Sequence, residues 1–312
     1  MHFSIVTPVL NGEEFLDRSI LSVVSQEGPF TIRYHVQDGG SKDRTLEILA
    51  AWQTRLARDF PLFCEGIEFS FASAPDRGAY DAVNRGFAAF AYADADAMTW
   101  IGSDDRFEPG AFATVEEIFR DFPDIDWVTG RTTIISEAGP MMCMPPPLVP
   151  FPREAIAAGI FDGRFATDCI EQEATFWRPR LWQKAGGVDP NFRIAGDFDL
   201  WRRFARHTDL VVVDAILGCY RVRAGQLAGD MDRYRAEIDA SLSPAEIETR
   251  AKVAKRYARA GFDYRLLIRY YGGPWLYNRW PMCIAPIFGT KAFKAENWRL
   301  RMMARFAKKS SG

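Results

Sequence analysis

The sequence predicts an α/β fold: a mostly parallel sheet with helices on both faces, continued by a basic helical C-terminal extension. Three observations carry this expectation. Short apolar runs alternate with amphipathic segments over the first hundred residues, in the order βαβαβαβ. Each apolar run stops at a polar or acidic loop. The 312 residues are 48% apolar and 26% charged, which supports a large core and excludes a disordered chain.

Residues 3–8 read as the first strand. Residues 14–26 place Phe15, Leu16, Ile20, Val23 and Val24 at helical spacing. A second strand covers 31–37 and a second helix 43–60, with Leu46, Leu49, Trp52 and Leu56 on one face. Strand 67–72, helix 79–91 and strand 98–101 complete the first half. Helix 111–122 and strand 127–135 follow. The run GPMMCMPPPLVPFP at 139–152 excludes a helix or a central strand. It reads as a flap over a site or as a surface connection. Strand 174–177 leads into a helix ending at 185, then a helix at 197–205 and a strand at 210–213. Ser243-Pro244-x-Glu246 is a capping box with proline in the first turn, opening a helix to about residue 260. These elements divide into a body at 1–225, with halves 1–110 and 111–225, and a C-terminal region at 226–312.

Composition excludes several functions. The five cysteines form no C-x-x-C pair and there are three histidines, which argues against structural zinc and fits reduced thiols in a cytosolic protein. The N-terminus lacks the basic and long apolar regions of a signal peptide. The stretch 270–289 carries Arg279 and three prolines, which suits a spanning helix poorly.

In a parallel sheet, ligands bind outside the carboxyl ends of the strands. That rule gathers the loops 7–14, 38–43, 75–80 and 102–106 into one candidate site. Ser103-Asp104-Asp105 ends a strand with adjacent carboxylates, which repel unless a cation lies nearby. They read as a metal–diphosphate clamp for Mg2+ or Mn2+, or as a solvated turn or helix cap. In Asp38-Gly39-Gly40-Ser41-x-Asp43 the glycines admit a ligand and Asp38 can accept from a base, while Ser41 and Asp43 can cap the next helix. Arg77, in Asp76-Arg77-Gly78, stands at a loop-to-helix junction that favours phosphate. Asp197 and Asp199, in Gly196-Asp197-Phe198-Asp199, open a helix; one can cap while the other serves as a general base.

The set VTPVLNGEEFL, DGGSKDRTLEIL, PDRGAYDAVNRGF, GSDD and GDFDLW, in this order over about residues 1–225, resembles the family 2 inverting glycosyltransferases. The resemblance implies a GT-A (Rossmann-like) fold and is nearest to bacterial enzymes that build surface polysaccharides. It implies a hexosyltransferase that uses a UDP- or GDP-type sugar and a glycan or polyprenyl-linked acceptor. By position, it places Thr7, Pro8, Asn11 and Glu13 around the nucleotide and Asp38 on the base. Asp76, Arg77, Asn84 and Asp104 would hold the nucleotide-sugar. Asp105 and Asp104 would bind Mn2+ or Mg2+, with Asp105 preferred as the direct ligand. Asp197 matches the catalytic base, and Glu173 would lie near the acceptor. Two departures stand out. Gly196 replaces the usual acid before the base, which leaves Asp197 and Asp199 both open. Tyr220-Arg221-Val222-Arg223 replaces a pattern ending in His, so Arg221 or Arg223 is expected to neutralise the diphosphate. Two other readings stay in play: a nucleotide-sugar-binding relative without transfer, and a nucleotidyltransferase-like enzyme.

The net charge of −2 hides an asymmetry. Residues 250–312 carry 15 Lys and Arg against two acids, a net of +13, so residues 1–249 carry −15. Within 291–309, Lys294, Arg301, Arg305 and Lys308 share one helical face, with Trp298, Met302, Met303 and Phe306 on the others. With Trp275, Tyr277 and Trp280, this pattern suits an interfacial helix on an anionic membrane. The alternative is packing against the acidic body, in the same chain or a neighbour. No nucleic-acid motif accompanies the charge. The expected location is the cytoplasm, peripheral at the inner face of the plasma membrane.

Overall fold

The computed structural model describes residues 1–143, 151–165, 169–226, 229–260, 275–278 and 283–286. The first half follows the expected alternation: β1 (His2–Val9), α1 (Leu16–Val24), β2 (Gly28–Asp38), α2 (Thr45–Arg58), β3 (Cys64–Ser73), α3 (Ala79–Ala88) and β4 (Ala97–Trp100). The strands lie parallel in the order β3-β2-β1-β4. Parallel neighbours need crossovers, and α1, α2 and α3 supply them. Pro8 is tolerated in this central strand because β4 ends opposite Val6, so no ladder partner on that side lacks a donor.

The second half contains β5 (Arg106–Phe107), α4 (Ala111–Asp121), β6 (Trp127–Ser136), β7 (Met141–Cys143), α5 (Arg153–Ala158), β8 (Thr175–Trp177), α6 (Pro179–Ala185), α7 (Gly196–Phe204) and β9 (Val211–Val222). Then come α8 (Met231–Ser241), α9 (Pro244–Ala260), β10 (Trp275–Asn278) and β11 (Cys283–Pro286). β8 runs antiparallel between β4 and β6, so the sheet is mixed beyond β4. β9 extends for 12 residues because it pairs with β6 as far as Ser136–Val222.

Side chains alternate along β1, and the sheet is buried on both sides. Phe3 and Ile5 face a layer with Leu16, Ile20, Leu49, Trp52 and Phe112. Val6 faces another, with Val83, Phe87, Leu181, Trp201 and Phe204. In that second layer the Trp100 and Trp201 rings stack, 5.8 Å apart and 9° from parallel. Trp127 and Trp177 pack beside them. This cluster fixes α7 against the sheet.

The chain beyond residue 225 continues on the same body. From α8, Tyr234 and Ile238 pack on Ile194, Ala195 and Phe198. Val253 and Ala254 of α9 join the second layer. The capping box forms as expected: the Ser243 N–H and hydroxyl donate to Glu246 at 2.9 and 2.8 Å, and the Glu246 N–H donates to Ser243 Oγ at 3.3 Å. No helix among the described residues is long and apolar enough to cross a membrane. The basic segment 291–309 and residues 144–150 of the Pro/Met run lie outside the described residues.

Candidate active site

The loops after β1 and β2 are knitted together, backbone to side chain. The Asn11 N–H donates to Ser41 Oγ at 2.7 Å, and the Lys42 N–H donates to Asn11 Oδ1 at 2.9 Å. The Gly12 N–H donates to Thr45 Oγ1 at 2.9 Å. The Glu13 N–H donates to Asp43 Oδ2, and the Arg44 N–H to Glu13 Oε2, each at 3.0 Å. Asn11 holds φ of 52°, a left-handed conformation that asparagine adopts more readily than most residues.

This knitting gives several of the expected site residues a structural part. A loop near a sheet must satisfy its backbone N–H groups, and short polar side chains are the nearest acceptors. Asn11 and Glu13 therefore tie two loops together. The Asp38 carboxylate is fully buried and accepts from the Gly40 and Ser41 N–H groups and from the Ser41 and Ser73 hydroxyls. It shapes its loop from beneath. The Thr7 hydroxyl is buried on Tyr34 Oη at 2.9 Å, and Pro8 is half-buried within β1. Asn84 bridges to Val188, donating to its carbonyl at 2.6 Å and accepting from its N–H at 3.1 Å. Its amide holds α3 to the turn after α6.

Asp76 and Arg77 stay available. Asp76 accepts from the Gly78 N–H at 2.8 Å, and its other oxygen lies over Gly39. A Cβ at Gly39 would come within 2.7 Å of it, so glycine is needed for this close approach. Arg77 is exposed just before α3 and makes a 3.1 Å pair with Asp81.

The loop after β4 is the most constrained. Asp105 is buried, and its Oδ1 accepts from the Arg221 N–H at 2.8 Å. The Arg223 guanidinium pairs with Asp104 Oδ2 at 2.5 Å. The two remaining oxygens, Asp105 Oδ2 and Asp104 Oδ1, lie 2.7 and 3.1 Å from the point where a Gly102 Cβ would stand. They converge over a residue without a side chain. Burial, then the charge of Asp104, push the Asp105 carboxyl up to about 8.

Arg221 departs from its expected contact with diphosphate. It is fully buried over the Phe15 ring, and its guanidinium donates to the carbonyls of Asp104, Ser136 and Glu137. It holds the acidic loop in place. Arg223 remains half-buried at the surface of the cleft, and Tyr220 feels the charges of Asp105 and Glu173.

A second acidic group faces the first. Glu173 is buried and its Oε1 has no hydrogen-bond partner among the described residues. Burial, then the charges of Glu171 and Asp105, hold its carboxyl well above the usual range, and Asp197 adds to this. Asp197 lies half-buried in the first turn of α7, with burial pushing its carboxyl up to about 6. Its near neighbour is a hydroxyl: Tyr80 Oη lies 3.4 Å from Asp197 Oδ1 and donates to the Ile194 carbonyl at 2.8 Å. Asp199 differs. It pairs with Arg203 at 2.8 Å, and Arg203 also donates to the carbonyls of Ala185 and Gly187.

Gly196 now has a physical reason. A Cβ there would stand 2.7 Å from the Tyr80 ring. The space that a larger residue would need is filled by the tyrosine that reaches Asp197. Tyr80, Glu171 and Tyr220 therefore belong with these acids; Tyr80 lies in the gathered loop 75–80, but no expected role falls on any of the three. The glycine at 196 and the alternating acids of Glu171-Gln172-Glu173 were the available signals.

Residues 4–145 match the family described as "Glycosyl transferase family 2". An uncharacterized glycosyltransferase of Mycobacterium tuberculosis, Rv1514c, is 28% identical over 223 residues, covering 69% of this chain and 72% of its own. The S. aureus TarS 1–349 structure in complex with UDP-GlcNAc superposes with a TM-score of 0.56 at 15% identity, covering 82% of this chain and 72% of that one. The same protein in complex with UDP gives 0.52 at 15% identity, over 86% and 76%. Residues 4–145 are thus similar to glycosyl transferase family 2, and the chain shares the GT-A fold of these structures.

Proposed function

We propose that this glycosyltransferase moves a sugar from a nucleoside-diphosphate sugar to an acceptor hydroxyl in one displacement that inverts the anomeric centre. One juxtaposition carries the reading. The paired carboxylates after β4 and the lone carboxylate opening α7 both lie near Glu173, which feels the charges of Asp105 and Asp197. Asp197 has a hydroxyl beside it, whereas Asp199 is held by Arg203. These contacts support Asp197, not Asp199, as the base.

The acceptor oxygen attacks the anomeric carbon from the face opposite the diphosphate. The bond from that carbon to the diphosphate oxygen breaks, and the acceptor proton passes to the Asp197 carboxylate. Asp104 Oδ1 and Asp105 Oδ2 are hard oxygen donors and fit Mn2+ or Mg2+. When bound there, the cation would supply positive charge to the leaving diphosphate. Arg77 and Arg223 add charge on the protein side. The TarS complexes with UDP-GlcNAc and UDP make uridine nucleotides the first donors to try, with GDP-sugars beside them.

The acceptor class that fits the basic C-terminal region is a glycan or polyprenyl-linked sugar at the inner face of a bacterial plasma membrane, in surface-polysaccharide synthesis. The +13 charge of residues 250–312 supports this placement. Liposome co-sedimentation tests it: full-length protein should pellet with anionic vesicles and not with neutral ones. Equal recovery from both would contradict it.

A product assay tests the main reading. A thermal-shift panel of UDP- and GDP-sugars, with and without Mn2+, selects the donor. Phosphorus NMR of the reaction should then show free nucleoside diphosphate, and proton NMR an inverted anomeric coupling. Pyrophosphate as the product would mean nucleotidyl transfer and would overturn the proposal.

A further inference from the structure

We infer that Glu237, on helix α8, is a positioning residue for sugar transfer: its carboxylate clamps the backbone that carries Asp197 into the cleft. The inference rests on Asp197 being the base.

The segment before α7 is held from two sides. Glu237 Oε1 accepts from the Arg193 N–H at 2.6 Å. Glu237 Oε2 accepts from the Ile194 and Ala195 N–H groups at 2.9 and 2.7 Å. On the opposite side the Tyr80 hydroxyl donates to the Ile194 carbonyl at 2.8 Å. α7 begins one residue later, and its N-cap, Ala195, has no side chain that could cap the helix. A carboxylate from a distant helix therefore takes the amides just ahead of α7 that local residues leave open. Tyr234 and Ile238, one turn before Glu237 and one residue after it, seal the contact with Ile194, Ala195 and Phe198.

Only a carboxylate does this fully. It presents two acceptor atoms to three N–H groups, whereas an amide presents one and turns a donor toward the others. The clamp also has an electrostatic side. The groups facing Asp197 are Tyr80 from α3, Tyr234 and Glu237 from α8, and Glu173 from the turn at 172–174. Glu173 is held toward its protonated form by burial. Glu237 is the acid that touches the Asp197 segment directly, and its charge opposes ionisation of Asp197.

The test compares pH profiles of kcat and kcat/KM for wild type, Glu237→Gln, Glu237→Asp and Asp197→Asn, with donor affinity measured in parallel. Glu237→Gln should lower kcat by at least about tenfold, since a misplaced base loses that much or more. It should also move the acidic limb to lower pH and leave donor affinity within about twofold. Glu237→Asp keeps the charge and loses reach, so it should lower kcat with the acidic limb in place. That variant decides the matter if Glu237→Gln does not fold. Wild-type kcat and an unmoved acidic limb in the Glu237 variants, with Asp197→Asn inactive, would overturn the role of Glu237 alone. Transfer by Asp197→Asn would instead overturn the base on which the inference stands.

Discussion

As the proposed base, Asp197 makes the pH dependence of this enzyme calculable. Its carboxyl is pushed from 3.8 up to about 6, mainly by burial. A general base works only when ionised. With a pKa of about 6, roughly nine tenths of the base is ionised at pH 7 and roughly one tenth at pH 5. kcat/KM should therefore fall about tenfold between those values, whereas an unshifted carboxyl would lose less than about a tenth of its activity. The same shift bears on stability. The folded-state pKa lies above the unfolded value, so the folded protein holds this proton more tightly. Its contribution is full below about pH 4 and is lost as the pH rises through 6. The loss reaches at most about 3 kcal/mol, and less because the side chain is half-buried. Asp197→Asn removes the charge and should melt higher than wild type at pH 8, with little difference at pH 4. The assays are kcat/KM from pH 4.5 to 8 and thermal denaturation at both pH values. A flat kcat/KM between pH 7 and 5 would refute the reasoning, as would a variant that melts below wild type at pH 8.

Other outcomes follow from single contacts. Gly196→Ala would drive a Cβ into the Tyr80 ring; it should cost about 1–3 kcal/mol in denaturant titration and lower kcat, and a wild-type profile would contradict the packing argument. Asp38→Asn disturbs a buried acceptor of several donors; a loss of about 1–3 kcal/mol and a higher donor KM are expected, both read from one purified sample. Asp105→Ala should abolish the change in the Mn2+ electron paramagnetic resonance signal on adding protein, a readout independent of turnover.

The first half of the fold was legible because its signals are local. Phe15, Leu16, Ile20, Val23 and Val24 recur at helical spacing, and β1 to β4 stop at polar loops. The second half depends on pairing that local pattern does not encode. Only 210–213 reads as a strand, yet β9 runs to Val222 because β6 lies beside it. α8 has no motif at all, and Glu237 matters only because the chain returns it to Ile194 and Ala195. The site shows the same division. Motif order alone singled out Asp104, Asp105 and Asp197 as candidates. Which polar atoms would be consumed by backbone amides was not readable from it. Asp38, Asn11, Glu13 and Asn84 look like ligand contacts in the sequence, and in the fold they satisfy loop N–H groups. The Gly196 departure, which left the base undecided, is explained by a ring that lies far away in sequence, at Tyr80.

The central claim is that Asp197, and not Asp199, takes the acceptor proton. The direct measurement is transfer by Asp197→Ala and Asp199→Ala under saturating donor, with donor binding followed by thermal shift. Asp197→Ala should bind donor as wild type does and transfer nothing, while Asp199→Ala retains inverting transfer. Transfer by Asp197→Ala together with an inactive Asp199→Ala would contradict the account.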